Sequence, residues 1–177
     1  MNNSLKLKGR LILLSVLFSA QASFCQEMTY PIKEDVATIS GILTAAYDAI
    51  SGAAGTPRPV ERIASLYVPK GLVSKNTITD GKNDREVMTI NQFQQKFPVI
   101  RKSAFYEEEI NREIRIFGNI ASVWSTYQIR YAKNGPPVHR GINSIQLHYK
   151  EDRWWIVSWS WDAESGENPI PASFDAY

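Results

Sequence analysis

Residues 140–162 read RGINSIQLHYKEDRWWIVSWSWD. Arg140 to Tyr149 and Trp154 to Asp162 are two long strand-forming runs joined by a tight polar turn. Four of the five tryptophans, Trp154, Trp155, Trp159 and Trp161, fall in the second run. A strand with that much aromatic surface needs a large cover, and polar positions beside the bulk are the makings of a pocket. Residues two apart on a strand share a face. Trp155, Val157, Trp159 and Trp161 are therefore expected on one side, with Trp154, Ile156, Ser158, Ser160 and Asp162 on the other.

Two more strands precede this pair. Phe105 to Arg115 alternates, Gly118-Asn119 is a turn pair, and Ile120 to Tyr131 completes a hairpin. Asn134-Gly135-Pro136-Pro137 turns the chain into Val138 to Tyr149. Before Ser103 the period is helical. Ile39, Ile42, Leu43, Ala46, Tyr47 and Ile50 mark a helix over 34–50, with Glu34 and Asp35 in its first turn. Val60 to Tyr67 is a short second helix, and Ile90, Phe93, Gln94 and Phe97 mark a third with Thr89 as its N-cap. Residues 74–86 are polar, lack a hydrophobic period and contain the turn signal Asp80-Gly81, so they read as a surface loop. Three helices followed by four antiparallel strands predict an α+β domain with the helices on one face of a curved sheet.

The chain has 177 residues, enough for one domain with a sizeable core. Lys6, Lys8 and Arg10 followed by the apolar run Leu11 to Ala20 resemble a secretory leader over 1–25, with cleavage after Ala22 or Cys25. The remaining layout is an extension over 26–33, a domain over 34–165 and a turn-forming tail over 166–177. Lys plus Arg total 20 and Asp plus Glu 18; the leader takes three bases and no acids, which leaves 17 against 18 and a formal charge of −1. That balance offers no basic patch for nucleic acid. Export to the periplasm or exterior is the expectation, with no membrane attachment after cleavage unless Cys25 is lipidated. Phe24 argues against lipidation, because the lipoprotein signal places a small residue before its cysteine. Cys25 is the only cysteine, so no disulfide forms within the mature domain.

The order of elements, ending in Arg153-Trp154-Trp155-Ile156-Val157, resembles the nuclear transport factor 2-like superfamily, which includes ketosteroid isomerases, scytalone dehydratase and SnoaL-type cyclases. The segments Phe117 to Ala121, Arg140 to Leu147 and Glu167 to Pro171 look like an uncharacterised bacterial branch of it. The resemblance covers roughly 34–165 and implies a cone-shaped sheet closed on one side by helices, with a cavity inside. It places Trp159 and Trp161 toward that cavity, with Asn143 from the neighbouring strand. Gly141 reads as a bulge or a close backbone approach. A bulge would bring Arg140 to the same side, to hold a ligand carboxylate or to pair with Glu107 or Glu109. Tyr127 could donate to a developing oxyanion, as tyrosines do in ketosteroid isomerases. Glu107 and Glu109 are the candidate carboxyls, and Glu109 is the expected base, although three consecutive glutamates also suit a solvated edge. The carboxyl those isomerases carry on the strand before the last turn is missing, since Asn143, Ile145 and Leu147 stand there.

His139 and His148 are nine apart on one strand, which sets them on opposite faces and apart from any shared metal. No nucleophile elbow, phosphate loop or zinc spacing occurs, and no cofactor is expected. Three readings follow. One is a binding protein whose pocket, lined by Tyr127, Arg140, Asn143, Trp159 and Trp161, takes a small, partly apolar molecule. Another is an isomerase, dehydratase or cyclase using Glu109 with Tyr127 or Arg140. The third is a homodimeric module that pairs through the outer sheet face at Trp154, Ile156 and Gln146.

Overall fold

The structure, a computed structural model, describes residues 29–79 and 82–175. The expected leader, Cys25 and the Asp80-Gly81 turn lie outside the described residues. The described chain begins with two helices, α1 (Lys33–Val36) and α2 (Ile39–Ile50). The single helix expected over 34–50 is thus broken after Val36. Thr38 causes the restart: its backbone is extended and its side chain accepts from the Gly41 backbone N–H at 2.9 Å, which caps α2. Helix α3 spans Val60–Leu66. Helix α4 (Ile90–Gln95) starts at the expected cap, Thr89, where Gln92 returns a hydrogen bond to complete a capping box.

The sheet has six strands, two more than expected: β1 (Tyr67–Thr79), β2 (Lys82–Thr89), β3 (Tyr106–Phe117), β4 (Ile120–Arg130), β5 (His139–Lys150) and β6 (Arg153–Ala163), in the order β2-β1-β6-β5-β4-β3. All neighbours are antiparallel except β1 and β6. The segment 74–86, expected as a loop, is a hairpin. Backbone pairing from Leu72↔Thr89 to Thr79↔Lys82 holds it, with Val73 and Met88 as its buried anchors. It forms one edge of the sheet, where polar side chains discourage pairing with another chain and erase the period-two signal.

Helix α2 packs its Ile42, Leu43 and Ala46 on the concave face, against Val123, Ile145 and Ile156. Two bulges decide which strand residues join them. The β5–β6 register runs Ile145↔Trp159 and then Leu147↔Ile156, so Val157 is the extra residue. Trp154, Ile156, Trp159 and Trp161 consequently share the concave face, while Trp155 turns outward beneath the Arg153 guanidinium. This corrects the expected alternation and removes both Trp154 and Ile156 from the outer interface expected of them, since Ile156 lies in the core and Trp154 packs against it. In β3 the extra residue is Ile110, which groups Glu107 and Glu109 with Arg112 and Ile114.

The outer face carries the chain's own tail. Thr126 Oγ1 donates to the Phe174 carbonyl, Asn111 Nδ2 donates to the Asp175 carbonyl at 2.9 Å, and Phe174 stacks on Trp124 at 5.4 Å. A groove of about 240 Å³ remains there, lined by Glu113, Arg115, Ser122, Trp124 and Phe174. The face expected to meet a second copy is therefore partly covered.

Gly141 is a close approach and not a bulge, because β4–β5 pairing is unbroken from Ile120↔His148 to Ile129↔His139. A Cβ there would lie 2.2 Å from the Asp162 carbonyl oxygen and 2.5 Å from Tyr127 Oη. Gly141→Ala is expected to destabilise the fold by about 1–3 kcal/mol. Gly166→Ala, where a Cβ meets nothing within 4 Å, should change stability by less than ~0.5 kcal/mol. Paired denaturant melts check the contrast, and equal effects would contradict the packing described.

Candidate functional site

Strand parity and the two bulges bring Glu107, Glu109 and Arg112 of β3, Ser125 and Tyr127 of β4, Asn143 of β5 and Trp159 and Trp161 of β6 onto one concave surface. Helix α2 covers it with Tyr47, whose ring meets Trp159 edge-on at 5.5 Å. A directed chain of hydrogen bonds crosses the cover. Asn143 Nδ2 donates to Tyr47 Oη at 2.9 Å, and Ser125 Oγ donates to Glu109 Oε1 at 2.6 Å. Ser125 has spent its only proton on Glu109, so Tyr47 is the donor in the 2.6 Å contact between the two hydroxyls.

The two glutamates of this surface have different fates. Glu109 is saturated: Oε1 accepts from Ser125 and Oε2 accepts from Arg112, whose Nη1 continues to Ser40 Oγ at 2.8 Å. The carboxyl named from sequence as the base is thus tied into structural hydrogen bonds on both oxygens. Glu107 accepts from Asn143 Nδ2 at 3.2 Å, and among the described residues no cation pairs with it. Its backbone is clamped from both sides by the Ser51 hydroxyl just past α2, which donates to the Glu107 carbonyl at 3.1 Å and accepts from its N–H at 3.0 Å. Burial pushes the Glu107 carboxyl up to about 7, although the Asn143 hydrogen bond pulls the other way. Glu108, between them, faces outward to Gln128 and Arg130.

Three phenols sense the Glu107 charge. Tyr47, Tyr67 and Tyr127 are each raised above the ordinary tyrosine value, first by burial and also by Glu107. They remain neutral donors at any physiological pH. Tyr127 Oη reaches the Asp162 carbonyl at only 3.5 Å, beyond the usual O–H···O range, and so has donor capacity in reserve. Glu107, Ile129 and Trp161 are only partly buried, which leaves this end of the concave face open. A carboxyl that titrates near neutrality, beside neutral phenol donors and an indole wall, has the parts for proton transfer to or from a bound molecule.

Of the five residues expected to line a pocket, Tyr127, Asn143, Trp159 and Trp161 share this surface. Arg140 does not. The regular β4–β5 register points it to the outer face, where it pairs with Asp175 and, at 3.7 Å, with Glu164. Neither Glu107 nor Glu109 is its partner. Tyr47, Tyr67 and Ser125 were missed. Tyr47 has a signal, since it is the polar-tipped residue on the inward stripe of α2.

The Glu107 shift sets a pH dependence. The folded protein holds this proton more tightly than the unfolded chain, for which the ordinary value is 4.5. Between about pH 4.5 and 7 the native state therefore binds more protons, and stability falls as pH rises through that window. Glu107→Gln should abolish this slope and exceed the native sequence in stability at pH 8 by on the order of 2 kcal/mol. Chemical denaturation across pH 4 to 8 measures it; a variant less stable at pH 8 would contradict the placement of Glu107.

No family model and no curated protein sequence matches the chain. Solved structures do. A Nostoc punctiforme protein of unknown function with a cystatin-like fold is 10% identical at TM-score 0.54, covering 72% of this chain and 90% of that one. The association domain of C. elegans CaMKII is 18% identical at TM-score 0.53, covering 70% and 92%. A Shewanella baltica protein described as NTF2-like, of unknown function, is 15% identical at TM-score 0.48, covering 72% and 91%. Identities this low speak for the fold and nothing finer. The chain has a cystatin-like α+β fold, a curved sheet with helices packed on its concave face.

Proposed function

We propose that this chain is an exported protein that binds a small, partly apolar molecule at the open end of its concave face. Trp161 and Ile129 offer the accessible wall, with Tyr127, Asn143 and Trp159 buried behind them, and Glu107 is the group that meets a polar atom of the ligand. The observation that carries this reading is the Glu107 carboxyl itself: it lies on the concave face beside buried phenols, with one amide donor and, among the described residues, no cation. An unpaired buried carboxyl costs stability, and a site shaped for a ligand is a reason for a fold to keep it. Export rests on the basic and apolar pattern of residues 1–25.

The same observation favours a second reading, in which the bound molecule is turned over by an isomerase, dehydratase or cyclase chemistry. Glu107 is then the base in place of Glu109, and Tyr127 steadies the oxyanion that forms when a proton leaves carbon beside a carbonyl.

Native mass spectrometry of the protein isolated from its export compartment separates these outcomes from a protein with no ligand. A retained small molecule, lost or weakened about tenfold by Trp161→Ala, is the expected result. A bare mass under gentle conditions would overturn the binding reading. If the retained molecule is converted by the native sequence and not by Glu107→Gln, the second reading holds.

A further inference from the structure

Arg58 and Arg101 are two neighbouring guanidinium groups with no carboxylate against either of them among the described residues. Arg101 is 3% exposed. Its terminal nitrogens donate to the carbonyls of Ala49 and Ser51 at the end of α2 and of Pro57 in the following loop, at 2.7–2.9 Å. Those carbonyls satisfy its protons but bring no full negative charge, and its Nε has no partner. Arg58 is half-buried and makes no side-chain hydrogen bond among the described residues; its guanidinium lies 5.0 Å from the Phe97 ring centroid. Burial disfavours both charges, and Arg58 further disfavours that of Arg101.

Two lines of contact join this pair to Glu107. One is aromatic: Asn143, the donor to Glu107, pairs with Trp161 across β5 and β6, Trp161 meets Phe93 at 5.7 Å, Phe93 meets Phe97 at 5.1 Å, and Phe97 lies under Arg58. The other is polar: Ser51 clamps the Glu107 backbone, and its own carbonyl accepts from Arg101. The pair therefore sits at the far end of an aromatic ridge that starts at the proposed site, with an uncompensated positive charge where the ridge ends.

We propose that the ligand of this site is an amphiphilic anion: a flat apolar body that lies along Trp161, Phe93 and Phe97, with a carboxylate or phosphate group held by Arg58. This rests on the concave-site reading and adds the ligand's charge and orientation to it. Arg58 makes the contact through its free terminal nitrogens, and Arg101 reinforces it as a fixed charge behind. A guanidinium on an aromatic face that lacks a protein acceptor is well placed for a planar anionic head. The opposite polarity, a cationic head at this end, would set three positive charges together.

Fluorescence titrations with 1-pyrenebutyrate and its primary amide test this, using the native sequence, Arg58→Gln and Glu107→Gln. The native protein should bind the acid about tenfold more tightly than the amide, as one charge-assisted pair allows. Arg58→Gln should bring the two probes to nearly equal affinity. An excess of inorganic phosphate should compete with the acid and not with the amide. Equal affinities in the native protein, no binding of either probe, or an acid preference that survives Arg58→Gln would each overturn the proposal. Amide binding that responds to Glu107→Gln without any acid preference would remove the anionic end alone and leave the concave site standing.

Discussion

The Asn143 side chain holds the two halves of this molecule in register. One amide hydrogen goes to Tyr47 on the covering helix and the other to Glu107 on the far strand. Both bonds are made from a residue 1% exposed, in surroundings where an unmet amide would cost a few kcal/mol. Asn143 can serve both partners only because β5 keeps a regular register with β4. A slip of one residue would send it outward and bring Ile142 in. The close contact of Gly141 with Tyr127 and Asp162 helps to lock that register.

Around this amide the concave face divides its charges unequally. Glu109 has Arg112 and Ser125, and Arg112 in turn ties β3 to Ser40 on α2. Glu107 sits on the same face two residues earlier and, among the described residues, its carboxyl has neither cation nor hydroxyl. The neutral form of such a carboxyl is favoured until pH nears 7, so the same group can present a proton or accept one with little free-energy difference. Uncompensated charge recurs at Arg58 and Arg101, at the end of the aromatic ridge. These two departures from full pairing lie at opposite ends of one line of aromatic contacts that runs through Trp161, Phe93 and Phe97.

Much of this was legible in the residues. The four C-terminal strands, the Thr89 cap and α3 follow from period and turn chemistry, while the inward placing of Tyr127 and Asn143 comes from the family resemblance, and each recurs in the structure. What sequence hid has physical causes. A bulge leaves no residue signature at Val157 or Ile110, yet it inverts the face of everything beyond it. The β1–β2 hairpin is held by backbone pairing at a polar edge, so it carries no hydrophobic rhythm. Arg140 was claimed by Asp175, 35 residues away, a tertiary contact that spacing cannot reveal. Glu107 looked like one of three solvated glutamates, and only the clamp by Ser51 and the cover of α2 show that it faces inward without a cation among the described residues.

The account turns on the protonation state of one carboxyl. Carbon-detected NMR of side-chain carboxyl shifts across pH 3 to 9, assigned with Glu107→Gln, reads it directly. A Glu107 midpoint near 7 is the expected result. A midpoint at the ordinary glutamate value of 4.5 would mean that Glu107 is solvated or paired, and the site described on the concave face would lose its chemistry.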